Sequence, residues 1–161
     1  GYYNKKYSPM IFGDGTSMAD SLSGGGGFMI TQYQDYVAIR YADVLLMAAE
    51  LGSANAQAYF DKVRKRAYPA AFSSIPATQE NIMRERRLEF AGEGIRYYDL
   101  LRQGVDVAAD VIAESTELLN GGVATDKIIS GAKIAQTRGF QQIPKNQITL
   151  SNGTLVQNAG W

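Results

Sequence analysis

Histidine and cysteine are both missing from this chain of 161 residues. Without imidazole or thiol, the commonest general base, the usual nucleophile–base pairs and the ordinary zinc and copper ligands are unavailable, and no cofactor or metal is expected. Disulfides are excluded as well, although this does not fix the compartment, because secreted proteins can also lack cysteine. Neither sign of charge is in excess: 16 basic and 16 acidic residues cancel, so no long-range field draws in nucleic acid or an anionic membrane surface. Long hydrophobic runs are absent too. No stretch reaches the ~18 apolar residues that a membrane-crossing helix needs, and no apolar region follows the opening Gly-Tyr-Tyr-Asn-Lys-Lys to make it a signal peptide.

What remains is helical patterning with charges set inside it. In the segment 39–50, apolar Tyr41, Ala42, Leu45, Leu46 and Ala49 recur at i, i+3, i+4 and share a face, with Arg40, Asp43 and Glu50 on or beside it. Such a mixture marks a buried helix. A first helix is expected over residues 36–51, stopped by Gly52, and a second from Ser53 or Asn55 to residue 67, ended by Pro69. Two antiparallel helices with so short a turn make a hairpin, with Ile39, Ala42, Leu45, Leu46 and Ala49 covered by Ala56, Tyr59, Phe60 and Val63.

Thr78 is placed to cap a third helix running to Gly92 through Ile82, Leu88 and Phe90, with Glu80 complementing its dipole. A short helix over 97–103 and an amphipathic stretch over 105–119 follow, ending at Gly121-Gly122. Beyond that, 127–129 and 147–150 read as β-prone pieces of a looped tail with room for a small hairpin. The predicted fold is mainly α: a helical hairpin of tetratricopeptide-like type plus further helices and a looped C-terminal tail with little β. It is treated as a single domain, 1–161, with a loop-rich lead-in (1–32), a helical core (33–120) and the tail (121–161).

Three blocks in order, Arg40-Tyr41-Ala42-Asp43-Val44-Leu45-Leu46-Met47, Val63-Arg64 with Arg66-Ala67, and the charged run from Glu85 to Gly104, resemble the C-terminal part of the SusD/RagB family of nutrient-binding outer-membrane lipoproteins. The ending is similar as well: an Ile143-Pro144 turn, then Gln157-Asn158 and Gly160-Trp161. The resemblance implies non-catalytic binding of a glycan or other nutrient and delivery to a TonB-dependent, SusC-like transporter. It also implies an outward-facing place on the outer membrane, held by a lipid anchor upstream of Gly1. Family members are several times longer, so the resemblance marks this chain as a C-terminal part.

Chemistry has to be sought among carboxylates, arginines and rings. Glu85, Glu89 and Glu93 lie four residues apart on one helical line, the raw material for a glycosidase pair. Their neighbours Arg86, Arg87 and Arg96 favour ionisation of all three and oppose an acid role. The reading taken is structural, a network of Arg40, Glu50, Arg64, Glu85, Arg86, Glu89, Arg96 and Asp99 that fixes helix crossings; no catalytic residue is assigned. Four glycines at 24–27 lack the Gly-Lys-Ser/Thr of a phosphate loop, and the basic run 62–66 is a solvated helix face rather than a nucleic-acid contact. Rings at helical spacing, Tyr41, Tyr59, Phe60, Phe90 and Tyr97, are assigned to the core. Tyr7, Phe28, Tyr33 and Tyr36 lie outside that pattern and are the candidate ligand-binding rings, since sugars stack their C–H faces on flat aromatics. The alternative is a helical protein-interaction module that docks on a partner without binding sugar.

Overall fold

The computed structural model describes residues 6, 11, 13–16, 37–113, 116–120, 123–127 and 130–161. It divides into two compact units, Gly1–Glu93 and Gly94–Trp161. The first unit holds α1 (Tyr41–Glu50), α2 (Ala56–Ala67) and α3 (Gln79–Glu89). The second holds α4 (Arg96–Leu101), α5 (Val105–Ile112), the strands β1 (Thr116–Asn120) and β2 (Val123–Lys127), α6 (Gly131–Thr137) and α7 (Lys145–Leu150).

In the first unit, α1 and α2 form the expected hairpin, and α3 packs on both. Leu45, Leu46 and Ala49 of α1 meet Phe60 and Val63 of α2 and Ile82 and Met83 of α3 in the buried core. The hairpin turn closes through Gly52, whose φ of 73° lies in the left-handed region that only glycine adopts without strain. Thr78 caps α3 by accepting a hydrogen bond from the Asn81 amide at 3.2 Å. The loop between α2 and α3 is tied down by Gln57, whose amide nitrogen donates to the Ile75 carbonyl while its oxygen accepts from the Ala77 amide.

Several boundaries and facings differ from expectation. Helix α1 begins at Tyr41, not at 36, because Arg40 is extended (φ −130°, ψ 163°) and lies outside the helical φ/ψ well. Ile39 and Tyr41 are therefore exposed rather than part of the core stripe, and Leu88 on α3 faces outward as well. The face α3 buries instead carries Glu85, Arg86 and Glu89 beside Ile82 and Met83, because charges that are paired can occupy a core.

In the second unit, α5 contacts both α4 and α6. The stretch 105–119 is not one helix. It stops at Ile112, and Thr116–Asn120 pairs antiparallel with Val123–Lys127, with Thr116 opposite Lys127 and Asn120 opposite Val123. The Gly-Gly step at 121–122, read as a helix stop, is equally a two-residue hairpin signal. The tail is also more ordered than predicted: 147–150 is helical within α7, and α6 was not anticipated. Gly131 allows α6 to approach α5 closely, since a Cβ there would sit 2.9 Å from the Ala109 carbonyl oxygen.

Phe60 is fully buried at the centre of the three-helix core. Its truncation, Phe60→Ala, is expected to lower the free energy of unfolding by about 3–5 kcal/mol, measured by urea denaturation with the slope unchanged.

Candidate functional site

Arg40, the last extended residue before α1, reaches the C-terminal end of α3. Its Nη1 is 2.6 Å from Glu89 Oε1, its Nη2 donates to the Glu89 carbonyl at 2.8 Å, and Nε and Nη2 reach the two Glu93 oxygens at 2.9 Å each. The guanidinium plane lies 4.4 Å from the Phe90 ring centroid, and Arg86 covers the same ring at 5.0 Å. From α2, Arg66 Nη2 meets both Glu89 oxygens at 2.5 and 2.6 Å. Lys6 adds a bond to Glu93 Oε1 at 2.5 Å and a second to the Glu89 carbonyl. Two carboxylates and the last carbonyl of a helix are thus held by three cations, the favoured charge at a helix C-terminus.

A second tier lies deeper. Arg86 Nη1 is 2.6 Å from Asp43 of α1, and Arg64 Nη1 is 3.4 Å from Glu85. Arg64 also lies against the Phe60 and Tyr68 rings, and its Nε is a buried side-chain nitrogen with no hydrogen-bond partner among the described residues. Glu50 accepts from Gln79 Nε2 at 2.8 Å, which ties the end of α1 to the start of α3.

Burial and pairing set the ionisation of these groups. Burial disfavours the Arg40 charge, but the hydrogen bonds and charges of Glu93 and Glu89 outweigh it, and its pKa is raised. At Glu93, burial likewise opposes ionisation but is outweighed by the bonds from Arg40 and Lys6, so this carboxyl sits below its ordinary value. Glu85 goes the other way: burial dominates, the Arg64 charge only partly offsets it, and its pKa is raised.

The structure thus brings Arg64, Glu85, Arg86, Glu89 and Glu50 onto three packed helices of the first unit, with Arg40 joining them from the extended residue before α1. Arg96 and Asp99 belong to the second unit, where Arg96 opens α4 and buried Asp99 is 3.1 Å from Arg102 Nε. Asp43, Arg66, Glu93 and Lys6 were not in the predicted network, although Glu93 was noted on the helical line of Glu85 and Glu89. Asp43 and Arg66 carried a signal, lying in the same motif blocks as Arg40 and Arg64. Lys6 is too distant in sequence from Glu93 for any spacing rule to join them. The candidate ligand rings Tyr7, Phe28, Tyr33 and Tyr36 lie outside the described residues.

Beside the charged frame, Arg40, Tyr41, Lys62 and Arg66 surround a groove of about 510 Å³ floored by Ala42, Leu45 and Val63. Tyr41, exposed here rather than buried, carries Lys62 Nζ at 5.0 Å from its ring centroid and 3.4 Å from its hydroxyl. An apolar floor with a ring and donors at the rim suits a polar organic ligand with some C–H surface.

By architecture this is a helical scaffold, a tetratricopeptide-like hairpin cross-linked by buried charges. The family can be stated too: the model of the SusD family matches residues 1–161, and the chain belongs to that family. It is similar to the SusD-like protein P25 of Formosa agariphila, 41% identical over 88 residues that cover 47% of this chain and 17% of that protein. Surface glycan-binding protein A of Bacteroides thetaiotaomicron is similar at 36% identity and a TM-score of 0.54, over 74% of this chain and 23% of its own. The same protein in complex with laminarihexaose matches at 34% identity and a TM-score of 0.53, over 76% and 24%. The chain spans only 17% to 24% of the length of these relatives.

Two outcomes are expected of the frame. Arg40→Ala removes four hydrogen bonds from Glu89 and Glu93, leaving them only Arg66 and Lys6 among the partners named above. It should cost about 3 kcal/mol of stability by urea unfolding, with Arg40→Lys recovering only part because it loses the bidentate geometry. The acid limb should also change in opposite directions. Glu93, with its folded pKa depressed, contributes stability present above its unfolded pKa and lost as pH falls through the folded value. Glu85, with its folded pKa raised, contributes stability present below its unfolded pKa and lost as pH rises through the folded one. Unfolding free energies below pH ~5 should therefore fall less steeply with acid in Glu93→Gln and more steeply in Glu85→Gln.

Proposed function

We propose that this chain serves non-catalytic binding of a glycan or similar nutrient at the outer-membrane surface, as part of a lipoprotein that passes its ligand to a TonB-dependent, SusC-like transporter. The observation that carries this reading is the likeness to a SusD-like surface protein solved with laminarihexaose bound. The first unit supports it chemically. Its inward carboxylates are committed to internal pairs: Glu89 accepts from two arginines, Glu93 is held low by Arg40 and Lys6, and Glu85 is buried against Arg64. Such groups serve to hold helices in place, and the ligand-binding role falls to rings, with Tyr7, Phe28, Tyr33 and Tyr36 the proposed contacts. No helix among the described residues is long and apolar enough to cross a membrane, in keeping with attachment through a lipid.

The exposed Val44, Met47 and Leu51 along the outer side of α1 favour a second reading, a helical module that docks on a protein partner without touching sugar. Calorimetry with laminari-oligosaccharides and a panel of other glycans separates the two. Saturable binding is expected, and replacing any one of the four proposed rings by Ala should weaken it roughly tenfold, or about 1.4 kcal/mol, with the fold intact. Retention of a transporter barrel by immobilised protein, with no heat from any glycan, would hand the case to the second reading.

A further inference from the structure

The second unit contains a pocket of about 380 Å³ that none of the charged-frame residues lines. Tyr97, Ile112 and Ile134 line it together with Phe140, Gln141 and Trp161. Its volume falls in the range of about 300–1,000 Å³ typical of small-molecule sites. Two features set it apart from an ordinary surface dimple.

The first is that its walls are held in place by the chain's terminal motif. Gln157 donates to the Ile143 carbonyl at 2.9 Å and accepts from the Ile143 amide at 2.8 Å, like one rung of a β-ladder. Asn158 Nδ2 donates to the Gln141 carbonyl at 2.6 Å, and the Trp161 indole N–H donates to the Phe140 carbonyl at 2.9 Å. Tyr97 is pinned from the other side, its hydroxyl donating to the Gly139 carbonyl at 2.6 Å. Gly139 has a φ of 76°, and a Cβ there would overlap Leu101, so the turn leading into this wall requires glycine.

The second feature is what these bonds leave exposed. Phe140 and Trp161 remain 60% and 48% accessible although the polar edge of the indole is already satisfied, so apolar ring surface is presented at the mouth. Lys133 lies 4.8 Å from the Trp161 ring centroid and bonds the Gly160 carbonyl, so its charge is engaged within the site. Among the described residues no Asp or Glu side chain lines the pocket, and the exposed Gln141 amide makes no hydrogen bond. Flat apolar rings, a free amide that both donates and accepts, and an engaged cation suit a flat, neutral ligand with one C–H face and a rim of hydroxyls.

We infer that this pocket is a separate saccharide subsite, which takes one neutral hexopyranose ring against Trp161 and Phe140 with Gln141 bonding its hydroxyls. The choice of saccharide rests on the glycan-binding reading above; the site itself rests on the geometry of the second unit. Trp161 is the one tryptophan of the chain, so its fluorescence reports this pocket alone. Titration with the methyl glycosides of glucose, galactose and mannose should give a saturable blue shift with at least one of them. Phe140→Ala and Gln141→Ala should weaken it fivefold or more with melting temperature preserved. Both side chains are exposed, and the wall's hydrogen bonds use their backbone carbonyls, which the substitutions keep. Val156→Ala, exposed and outside the pocket, should titrate like the parent. No shift with any of the three glycosides, or a shift that both pocket variants retain in full, overturns the subsite. Calorimetric binding of laminarihexaose with Trp161 emission unchanged also overturns it while leaving the glycan-binding reading standing.

Discussion

The first unit depends on one guanidinium. Arg40 lies outside any helix, yet four of its five N–H directions are spent on Glu89 and Glu93 at the end of α3, and its flat face rests on Phe90. Because a planar fork accepts few orientations, this arrangement fixes both the entry of the chain into α1 and the position of the α3 terminus against it. Arg66 then brings α2 to the same carboxylate. A core of Leu46, Phe60 and Ile82 would pack in more than one register on hydrophobicity alone, since apolar contact is non-directional. The charges supply direction.

Such a frame trades stability for geometry. Taking Glu89 to 4% exposure costs desolvation that its two arginines repay only if every oxygen is bonded, and here both are. A group so committed has little capacity left to turn toward a ligand. Paired charges of this kind hold the helices in place, which is why the proposed binding role falls to rings rather than to these carboxylates. The second unit shows the same division on a smaller scale, where Gln157 and Asn158 hold a wall so that Phe140 and Gln141 can face outward.

Much of the helical order was legible in the sequence. The i, i+3, i+4 stripe of Ala42, Leu45, Leu46 and Ala49, the Gly52 stop, the Thr78 cap and Pro69 each encode local structure through sterics and hydrogen bonding within a few residues, and α1 to α3 appear accordingly. Where the reading failed, the segment's immediate structural context decided. Residues 116–119 continue the amphipathic period of α5 but take strand geometry because 123–127 satisfies their backbone groups. The piece 147–150 is rich in β-branched residues yet follows Pro144, which presets helical φ at the entry to α7. Tyr41 fits the apolar stripe of α1 but sits at its first position, where no neighbouring turn remains to cover it.

The sequence by itself determined the chemistry open to this protein and the family it belongs to. The absence of histidine and cysteine, the balance of charge and the ordered motif blocks are properties of composition and order that folding cannot alter. Tertiary structure alone decided who pairs with whom. Glu93 meets Lys6 across 87 positions, Arg86 meets Asp43 across 43, and the terminal Trp161 reaches back to Phe140. Periodicity reports which face of a helix a residue occupies, whereas an ion pair or a pocket wall depends on how separate elements cross, and that is set only once the whole core has closed around them.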